Sequence, residues 1–268
     1  MEDAFFGSVA QQAPLKRGQD MFALTRDDPR MTYYGRTVGC ADHTEASHQI
    51  VQALAKLQGA AHYGCVAGPE VKPLRSALET KGYKTTHFVR WASTGATFAA
   101  AKQILSDHPL PSDIQAVTLG LESPGDNLRK LAEVALSCEV LPPAGAVLRG
   151  IARPAVSIVA IDREGSPVSC AGSSAICHPD HPSLGGQAWW GMLATAESRR
   201  GERLALILGA MAILQMQDRF GFQSFFMGVQ PGNGPSEAVC RKMGLAPDGT
   251  NVVTVVDPKA MPGGKLTK

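Results

Sequence analysis

Three arginines lie within five residues of one another in the second half of the chain, at Arg199, Arg200 and Arg203. They separate an apolar run of strand length, 188–195, from apolar residues at helical spacing that begin at Leu204. A helix N-terminus has unpaired N–H groups and partial positive charge, so it favours anions over cations. The cluster therefore predicts either a site for an external phosphate or a solvated basic turn.

The order of strand, basic turn and helix resembles the phosphate-binding signature of the GNAT superfamily of acyl-CoA-dependent N-acetyltransferases. That signature is Arg or Gln, two residues, Gly, one residue, then Gly or Ala. Its first position is Arg200 here and its last is Ala205, while Arg203 replaces the glycine. Glycine lets a backbone approach a phosphate closely, whereas a guanidinium can itself bind one. The resemblance implies that acetyl-CoA is bound through its pyrophosphate by Arg200, Gly201, Glu202, Arg203, Leu204 and Ala205.

A second segment matches the family in the same order, after a predicted strand at 224–230. Family members often carry Asn-x-x-Ser/Ala, then Val or Leu, and end in Lys-x-Gly-Phe. The matching residues are Asn233, Ser236, Val239, Lys242 and Gly244, with Leu245 in place of Phe. Physically the segment is an N-cap, a short helix and a C-terminal glycine. The resemblance adds Asn233 and Ser236 to the predicted cofactor-binding residues.

The resemblance also implies how the acyl donor lies along the central strand. Backbone groups of Leu193, Ala194 and Thr195 would pair with the pantetheine arm, because the strands flanking the long helix splay apart in this family. The alternative is that these groups pair fully with a neighbouring strand. If the pantetheine arm does bind along this strand, a backbone N–H near Leu193 would polarise the thioester carbonyl.

Acetylation of an amine requires a base for the ammonium proton and an acid for the leaving thiolate. Many relatives place a tyrosine as the acid where this chain has Cys240, one helical turn after Ser236. A thiol with a pKa of about 8.5 can donate a proton, although a buried cysteine usually packs as a small apolar residue. Ser236 is a second candidate catalytic residue, with helix capping as its alternative role. No base is predicted: His178 and His181 could reach an acceptor or form a solvated turn.

Zinc binding is a further alternative for the segment that enters the central strand. Cys170, Cys177, His178 and His181 are of the right types, but their spacing is not a standard one. Because the two cysteines are an odd number of residues apart, they face opposite sides of a strand. We therefore expect no metal.

Composition limits the other classes of partner. The chain has 268 residues, and 26 Lys and Arg against 24 Asp and Glu give a net charge of +2. This balance predicts neither a nucleic-acid nor a membrane partner. Six scattered cysteines and an N-terminus without an apolar leader predict reduced thiols and a cytoplasmic protein. The oligomeric state, monomer or homodimer, is left open.

The order of the predicted strands and helices, together with the resemblance, indicates an α/β (α+β) fold. We expect a mixed, mostly antiparallel twisted sheet flanked by helices. The predicted divisions are an N-terminal arm (1–30), a degenerate GNAT-like or accessory α/β domain (31–107), an acetyl-CoA-binding GNAT domain (113–258) and a tail (259–268). The first domain loosely repeats the second, which suggests a tandem arrangement. Its helix begins with the acidic segment 42–46, which disfavours a pyrophosphate. We expect that half to be structural or to shape the acceptor site.

Together these features predict an N-acetyltransferase that transfers an acetyl group from acetyl-CoA to a primary amine of a small molecule. Two alternatives stay open. One is a non-catalytic acyl-CoA-binding regulatory or interaction module, which the departures at Arg203 and Cys240 favour. The other is an acyltransferase that uses a longer acyl-CoA.

Overall fold

The computed structural model describes residues 4–262, which form one mixed sheet of ten strands with helices packed against it. The helices are α1 (Val9–Thr25), α2 (Glu45–Gln58), α3 (Gly68–Thr80), α4 (Thr97–Asp107), α5 (Gly125–Ser137), α6 (Gly145–Leu148), α7 (Leu204–Phe220) and α8 (Gly234–Lys242). The strands are β1 (Met31–Tyr33), β2 (Val38–Cys40), β3 (Ala60–Ala67), β4 (Lys84–Ser93), β5 (Gln115–Thr118), β6 (Ala155–Ile161), β7 (Pro167–Ala175), β8 (Gln187–Thr195), β9 (Ser224–Val229) and β10 (Leu245–Val256). Their spatial order is β1-β2-β3-β10-β4-β9-β8-β7-β6-β5. No helix within the described range is long and apolar enough to cross a membrane.

The two halves of the chain contain the same succession of elements. In the first half the order is β2, α2, β3, α3 and β4, and in the second it is β8, α7, β9, α8 and β10. The first two strands of each half are parallel to each other, and every other pair of neighbouring strands is antiparallel. The predicted fold class, mixed and mostly antiparallel, is confirmed, and the shared order is what an internal repeat implies.

The halves exchange their last strands. β10 lies between β3 and β4, and β4 lies between β10 and β9. The closing strand of each half therefore pairs with the middle strand of the other half. The sheet is continuous across the two predicted domains, with no break between them. The predicted boundary at 107–113 therefore stays a prediction about the organisation of the chain.

Alternation along the strands gives the sheet two apolar faces. On β6, Ile158 faces the cluster of apolar residues around α7, and Val159 faces the cluster around α5. We call these the α7 face and the α5 face. Helix α7 is apolar around most of its circumference, as expected for a helix buried against a sheet, and it packs under β6, β7 and β8.

The segment 1–30, predicted as an N-terminal arm, contains helix α1 at Val9–Thr25, and its residues 1–3 lie outside the described range. A capping box between Ser8 and Gln11 starts this helix, and it continues through Pro14. Its apolar residues follow no clear helical stripe, which is why periodicity missed it. The tail predicted at 259–268 is also partly packed: Met261 is buried against Ala60 and Val256. Residues 263–268 lie outside the described residues.

The buried side chain of Arg90 contacts strands from both halves of the chain. Arg90 of β4 donates from Nη1 to the carbonyl oxygen of Gly64 on β3 (3.0 Å) and from Nη2 to Oε1 of Gln187 on β8. Its Nε lies 3.3 Å from the Oδ2 of Asp248 on β10, and its guanidinium stacks 3.9 Å from the centroid of the Phe226 ring. The Arg90 side chain thus joins both halves of the chain.

Replacing this side chain tests its structural role. In Arg90→Met, two buried oxygens lose their donor and Asp248 loses its partner, so we expect the free energy of unfolding to fall by about 2–4 kcal/mol. Urea denaturation followed by circular dichroism measures it. The exposed Arg26→Met is the matched control, with an expected change below about 0.5 kcal/mol. Equal losses in both variants would contradict the assignment.

Candidate functional site

The central feature is a cleft where two parallel strands separate. β8 pairs with β9 only from Gln187 to Trp189, which lie opposite Ser224 to Phe226. Beyond this point β9 continues along β4, whereas β8 continues along β7 over residues 190–195. The splay that the sequence resemblance implied is therefore present, with its apex at the Trp189–Phe226 pair.

A β-bulge in β8 lies along the wall of this cleft. Met192 has φ 55°, and the register with β7 shifts between the Gly191–Gly172 pair and the Ala194–Cys170 pair. Gly172 makes room for the bulge, because a Cβ there would lie 3.0 Å from the Met192 Cε. Two residues of β8, Met192 and Leu193, therefore lie opposite one residue of β7, Ala171, and this single extra residue bends β8 locally.

Side chains of β7 and of the residue that follows α5 bind backbone carbonyls around the bulge. The Cys170 thiol donates to the Met192 oxygen (3.3 Å) and the Ser169 hydroxyl donates to the Ala194 oxygen (2.7 Å). The Cys138 thiol donates to the Thr195 oxygen (3.3 Å). Of the predicted pantetheine-binding residues, Ala194 and Thr195 thus already use their carbonyls, while Leu193 lies in the bulge without a Cα partner on β7.

The turn before α7 presents backbone N–H groups to open space. A short 3₁₀ turn (Glu197–Arg199) is followed by an extended Arg200, by Gly201 at φ 89° and by Arg203 at φ 62°. No described group accepts a hydrogen bond from the N–H groups of 201–205, and α7 has no side-chain cap. Arg203 holds a left-handed conformation, which glycine adopts without a steric penalty. The N–H groups of this turn have no acceptor among the described residues, and a helix start of this kind favours an anion.

The three arginines of the turn have different roles. Arg199 is 18% exposed and makes paired contacts with Glu202 (2.6 and 2.7 Å) and with Asp113 (2.9 and 3.4 Å), so its charge is already neutralised. Arg200 is 62% exposed and only 3.9 Å from Glu197, a weak ion pair in water. Arg203 is exposed and forms no ion pair among the described residues. Two of the three guanidiniums are thus available to an external anion.

The corresponding helix of the first half differs at its N-terminus, as the sequence predicted. Thr44 caps α2 by accepting from the Ser47 N–H, and the Ser47 side chain in turn accepts from the Thr44 N–H. Glu45 adds a negative charge to the first turn. Because protein groups already satisfy this terminus, it offers no comparable anion site.

The second predicted motif lies at the start of α8, on the other side of the cleft. Asn233 caps this helix, and its Oδ1 accepts from the Ser236 N–H at 3.2 Å. Asn233 is exposed and Ser236 is partly exposed. Both residues occur where the motif predicted them, as a helix start, while their contact with a cofactor stays a prediction.

The candidate acid Cys240 lies inside the core. Its side chain is fully buried and its thiol contacts the Met227 sulfur at 3.8 Å. Burial raises the pKa of Cys240 to about 12. A group without access to solvent or to the cleft does not meet the geometry required of a general acid, so this placement favours the alternative, a small packing residue.

The two adjacent tryptophans of β8 point to opposite faces, as alternation predicts. Trp190 is fully buried on the α7 face and donates from Nε1 to the Gly209 carbonyl of α7 at 3.0 Å. Trp189 is partly exposed on the α5 face, where its ring meets that of Tyr34 edge-on. The α7 face of the cleft apex is therefore closed, and the α5 face is the side from which an acceptor could approach.

Of the two histidines in the 178–186 loop, His181 links the loop to the first half and His178 bonds within the loop. His181 is buried, accepts from the Ser183 and Leu184 N–H groups at Nδ1, and so carries its proton at Nε2, 3.1 Å from the Asp42 carboxylate. His178 accepts from the Asp180 N–H. No group of three metal-binding side chains occurs among residues 4–262.

Sequence reasoning missed the side chains that surround the cleft apex on the α5 face. Tyr34 and Arg36 lie in the turn between β1 and β2, and Arg90 comes from β4. The Arg36 guanidinium is 6.0 Å from the Trp189 ring centroid. The one signal available was Arg90 itself, which has two apolar residues on either side in the strand, since a charge there must find buried partners. Nothing in the sequence links Tyr34 to Trp189.

Comparison with known proteins identifies the fold. No protein-family model matches the sequence, and no curated protein is significantly similar to it. Among solved structures, a GCN5-related N-acetyltransferase from Kribbella flavida superposes with a TM-score of 0.56 at 14% identity, over 92% of this chain and 95% of that one. A Drosophila protein solved by structural genomics gives 0.53 at 12% identity, over 93% and 89%. A conserved Staphylococcus epidermidis protein of unknown function gives 0.51 at 9%, over 86% and 92%.

These alignments cover most of the chain, and the second half has the splayed strands and the open helix start in the order that the sequence resemblance implied. The chain therefore has the fold of the GNAT superfamily.

Proposed function

We propose that this chain is an acyltransferase that transfers an acetyl group from acetyl-CoA to a primary amine of a small molecule. The observation that carries the proposal is the uncapped turn 200–205 at the open end of the cleft between β8 and β9. A diphosphate bound there would satisfy the free N–H groups and would offset the charges of Arg200 and Arg203.

The cleft has a suitable length for the rest of the donor. Residues 190–195 extend about 20 Å at about 3.3 Å per residue, from the phosphate end to the apex at Trp189. A pantetheine arm pairing with this edge as an additional strand would bring its thioester towards the apex. The bulge at Met192 turns the backbone near Leu193, so an N–H there is suited to polarise the thioester carbonyl.

The proposed reaction is a direct attack. The neutral amine forms a C–N bond to the thioester carbonyl carbon, the C–S bond breaks, and coenzyme A leaves as a thiolate that is then protonated. The amine proton leaves through water at the partly exposed α5 face. Most of the acceleration would come from holding the amine against a polarised carbonyl, since orientation and an oxyanion donor each lower the barrier substantially.

Calorimetry with acetyl-CoA tests the donor site. Wild type is expected to bind with a micromolar or lower Kd, and Arg200→Glu to bind at least about 10-fold more weakly, because a charge-assisted contact is replaced by repulsion. The affinity of wild type should also fall as salt increases.

Arg219→Glu in the last turn of the same helix makes the same change in net charge far from the turn, and it should leave the Kd unchanged. Arg203→Gly keeps the left-handed backbone without strain and removes only a guanidinium, so a loss of about 3-fold or less is expected. If wild type does not bind acetyl-CoA at micromolar concentration, or if Arg219→Glu weakens binding as much as Arg200→Glu, the proposed donor site is wrong.

The role of Cys240 can be decided by a small substitution. Cys240→Ala removes a buried thiol that contacts Met227, so a loss of about 1 kcal/mol of stability is expected from the cavity. Turnover should change by less than about 3-fold, measured as release of free thiol. A loss of 100-fold in kcat, with folding intact by circular dichroism, would instead identify Cys240 as the acid.

A second function, a non-catalytic acyl-CoA-binding module, is favoured by one observation: the position at which relatives carry their acid is occupied by a buried thiol. Thiol release over a panel of amines, with acetyl-CoA and octanoyl-CoA as donors, separates the two functions. Tight donor binding without turnover of any amine would support the module.

A further inference from the structure

We propose that Tyr34 and Arg36 bind a carboxylate of the acceptor, so that the substrate is an amine that also carries a carboxylate group. This inference rests on the proposed function. It concerns the α5 face of the cleft apex, where Trp189 and Phe226 form the last pair of β8 and β9. A donor lying along β8 would have its reactive end there.

The first observation is an unused hydroxyl. The Tyr34 oxygen is buried and has no hydrogen-bond partner among the described residues, although the residue as a whole is partly exposed. Its ring stands edge-on to both apex side chains, 6.1 Å from Trp189 and 6.5 Å from Phe226 between centroids. Buried polar atoms are nearly always hydrogen-bonded in proteins, so an orphaned one at a cleft indicates a missing partner. Because burial raises the pKa of Tyr34, the hydroxyl stays protonated and can donate.

The second observation is a guanidinium without a counter-ion. Arg36 donates from Nε and Nη2 to the Leu141 carbonyl oxygen (2.8 and 2.5 Å), and no described carboxylate pairs with it. Burial lowers the pKa of Arg36 to about 10, so it remains charged at neutral pH. Its Nη1 is not used by these two hydrogen bonds, and the guanidinium lies 6.0 Å from the Trp189 ring centroid.

The neighbouring arginine shows that the excess charge belongs to Arg36. Arg90 also lies near Tyr34, but its three nitrogens donate to Gly64, Gln187 and Asp248, and Asp248 supplies a negative charge. Among the described residues, Arg36 therefore gives the apex a positive charge without a counter-ion, and its Nη1 and the Tyr34 hydroxyl are donors without an acceptor. One carboxylate has one negative charge and two oxygens, whereas a phosphate monoester would bring a second charge without a partner.

The turn that carries both residues is fixed in place by the second half. The Ala144 N–H donates to the Gly35 carbonyl oxygen at 2.8 Å, and Arg36 is held at Leu141. Gly35 has φ 73°, and a Cβ there would lie 2.7 Å from Pro143. The first half thus contributes a fixed turn to the proposed acceptor side of the cleft.

The test compares matched ligands on the full chain. In the presence of coenzyme A, binding of N-acetylglycine and N-acetylglycinamide is followed by quenching of tryptophan fluorescence, and turnover is measured with glycine, leucine and glutamate against their amides and with phosphoethanolamine. We expect N-acetylglycine to bind at least 10-fold more tightly than N-acetylglycinamide. Each amino acid should likewise have a kcat/KM at least 10-fold higher than that of its amide. Equal values for acids and amides, or a preference for phosphoethanolamine, would overturn the carboxylate assignment.

Two variants assign the effect to residues. Tyr34→Phe removes an oxygen that no described residue uses, so the thermal midpoint should not fall, while KM for the acids rises at least 5-fold and KM for acetyl-CoA stays constant. Arg36→Met should abolish the preference for acids over amides, and Tyr83→Phe is the control. If Tyr34→Phe changes neither KM nor affinity for N-acetylglycine, the proposal is wrong. Acetyl-CoA binding by calorimetry in every variant separates this result from a failure of the donor site.

Discussion

The organisation of this chain depends on where two parallel strands stop pairing. β8 and β9 share three residue pairs, and then β9 follows β4 while the bulge at Met192 turns β8 away. Unpaired backbone groups inside a sheet are costly unless another group or solvent satisfies them. The separation therefore creates an edge that an extended ligand can pair with, and it places the start of α7 at the open end of that edge.

Local patterns in the sequence were sufficient for most elements of the second half. The two signature segments correctly indicated a strand, a turn, a long helix and a capped short helix, because each is specified by neighbouring residues. Which of the three arginines form ion pairs could not be predicted from neighbouring residues. Arg199 is neutralised by Asp113, which lies far away in the sequence, and only the folded chain reveals that Arg200 and Arg203 remain available.

The same limit explains the features that sequence reasoning missed. Helix α1 lacks a clear apolar stripe, and its capping box at Ser8 is a short signal beside an internal Pro14. The side chains at the cleft apex come from the β1–β2 turn, β4, β8 and β9, so no spacing along the chain relates Tyr34 to Trp189 or Arg90 to Gln187. The acidic, capped start of α2 was predictable, because charge and cap lie within four consecutive residues.

The exchange of closing strands affects how the protein is made. During translation β10 leaves the ribosome after every other strand described here, yet its place is in the middle of the sheet. Until it emerges, the nascent first half presents two long open edges, those of β3 and β4, which are the kind of surface that recruits chaperones or aggregates. Neither half can complete its sheet until β10 has been synthesised and has inserted between β3 and β4. The two halves therefore become native together rather than one after the other.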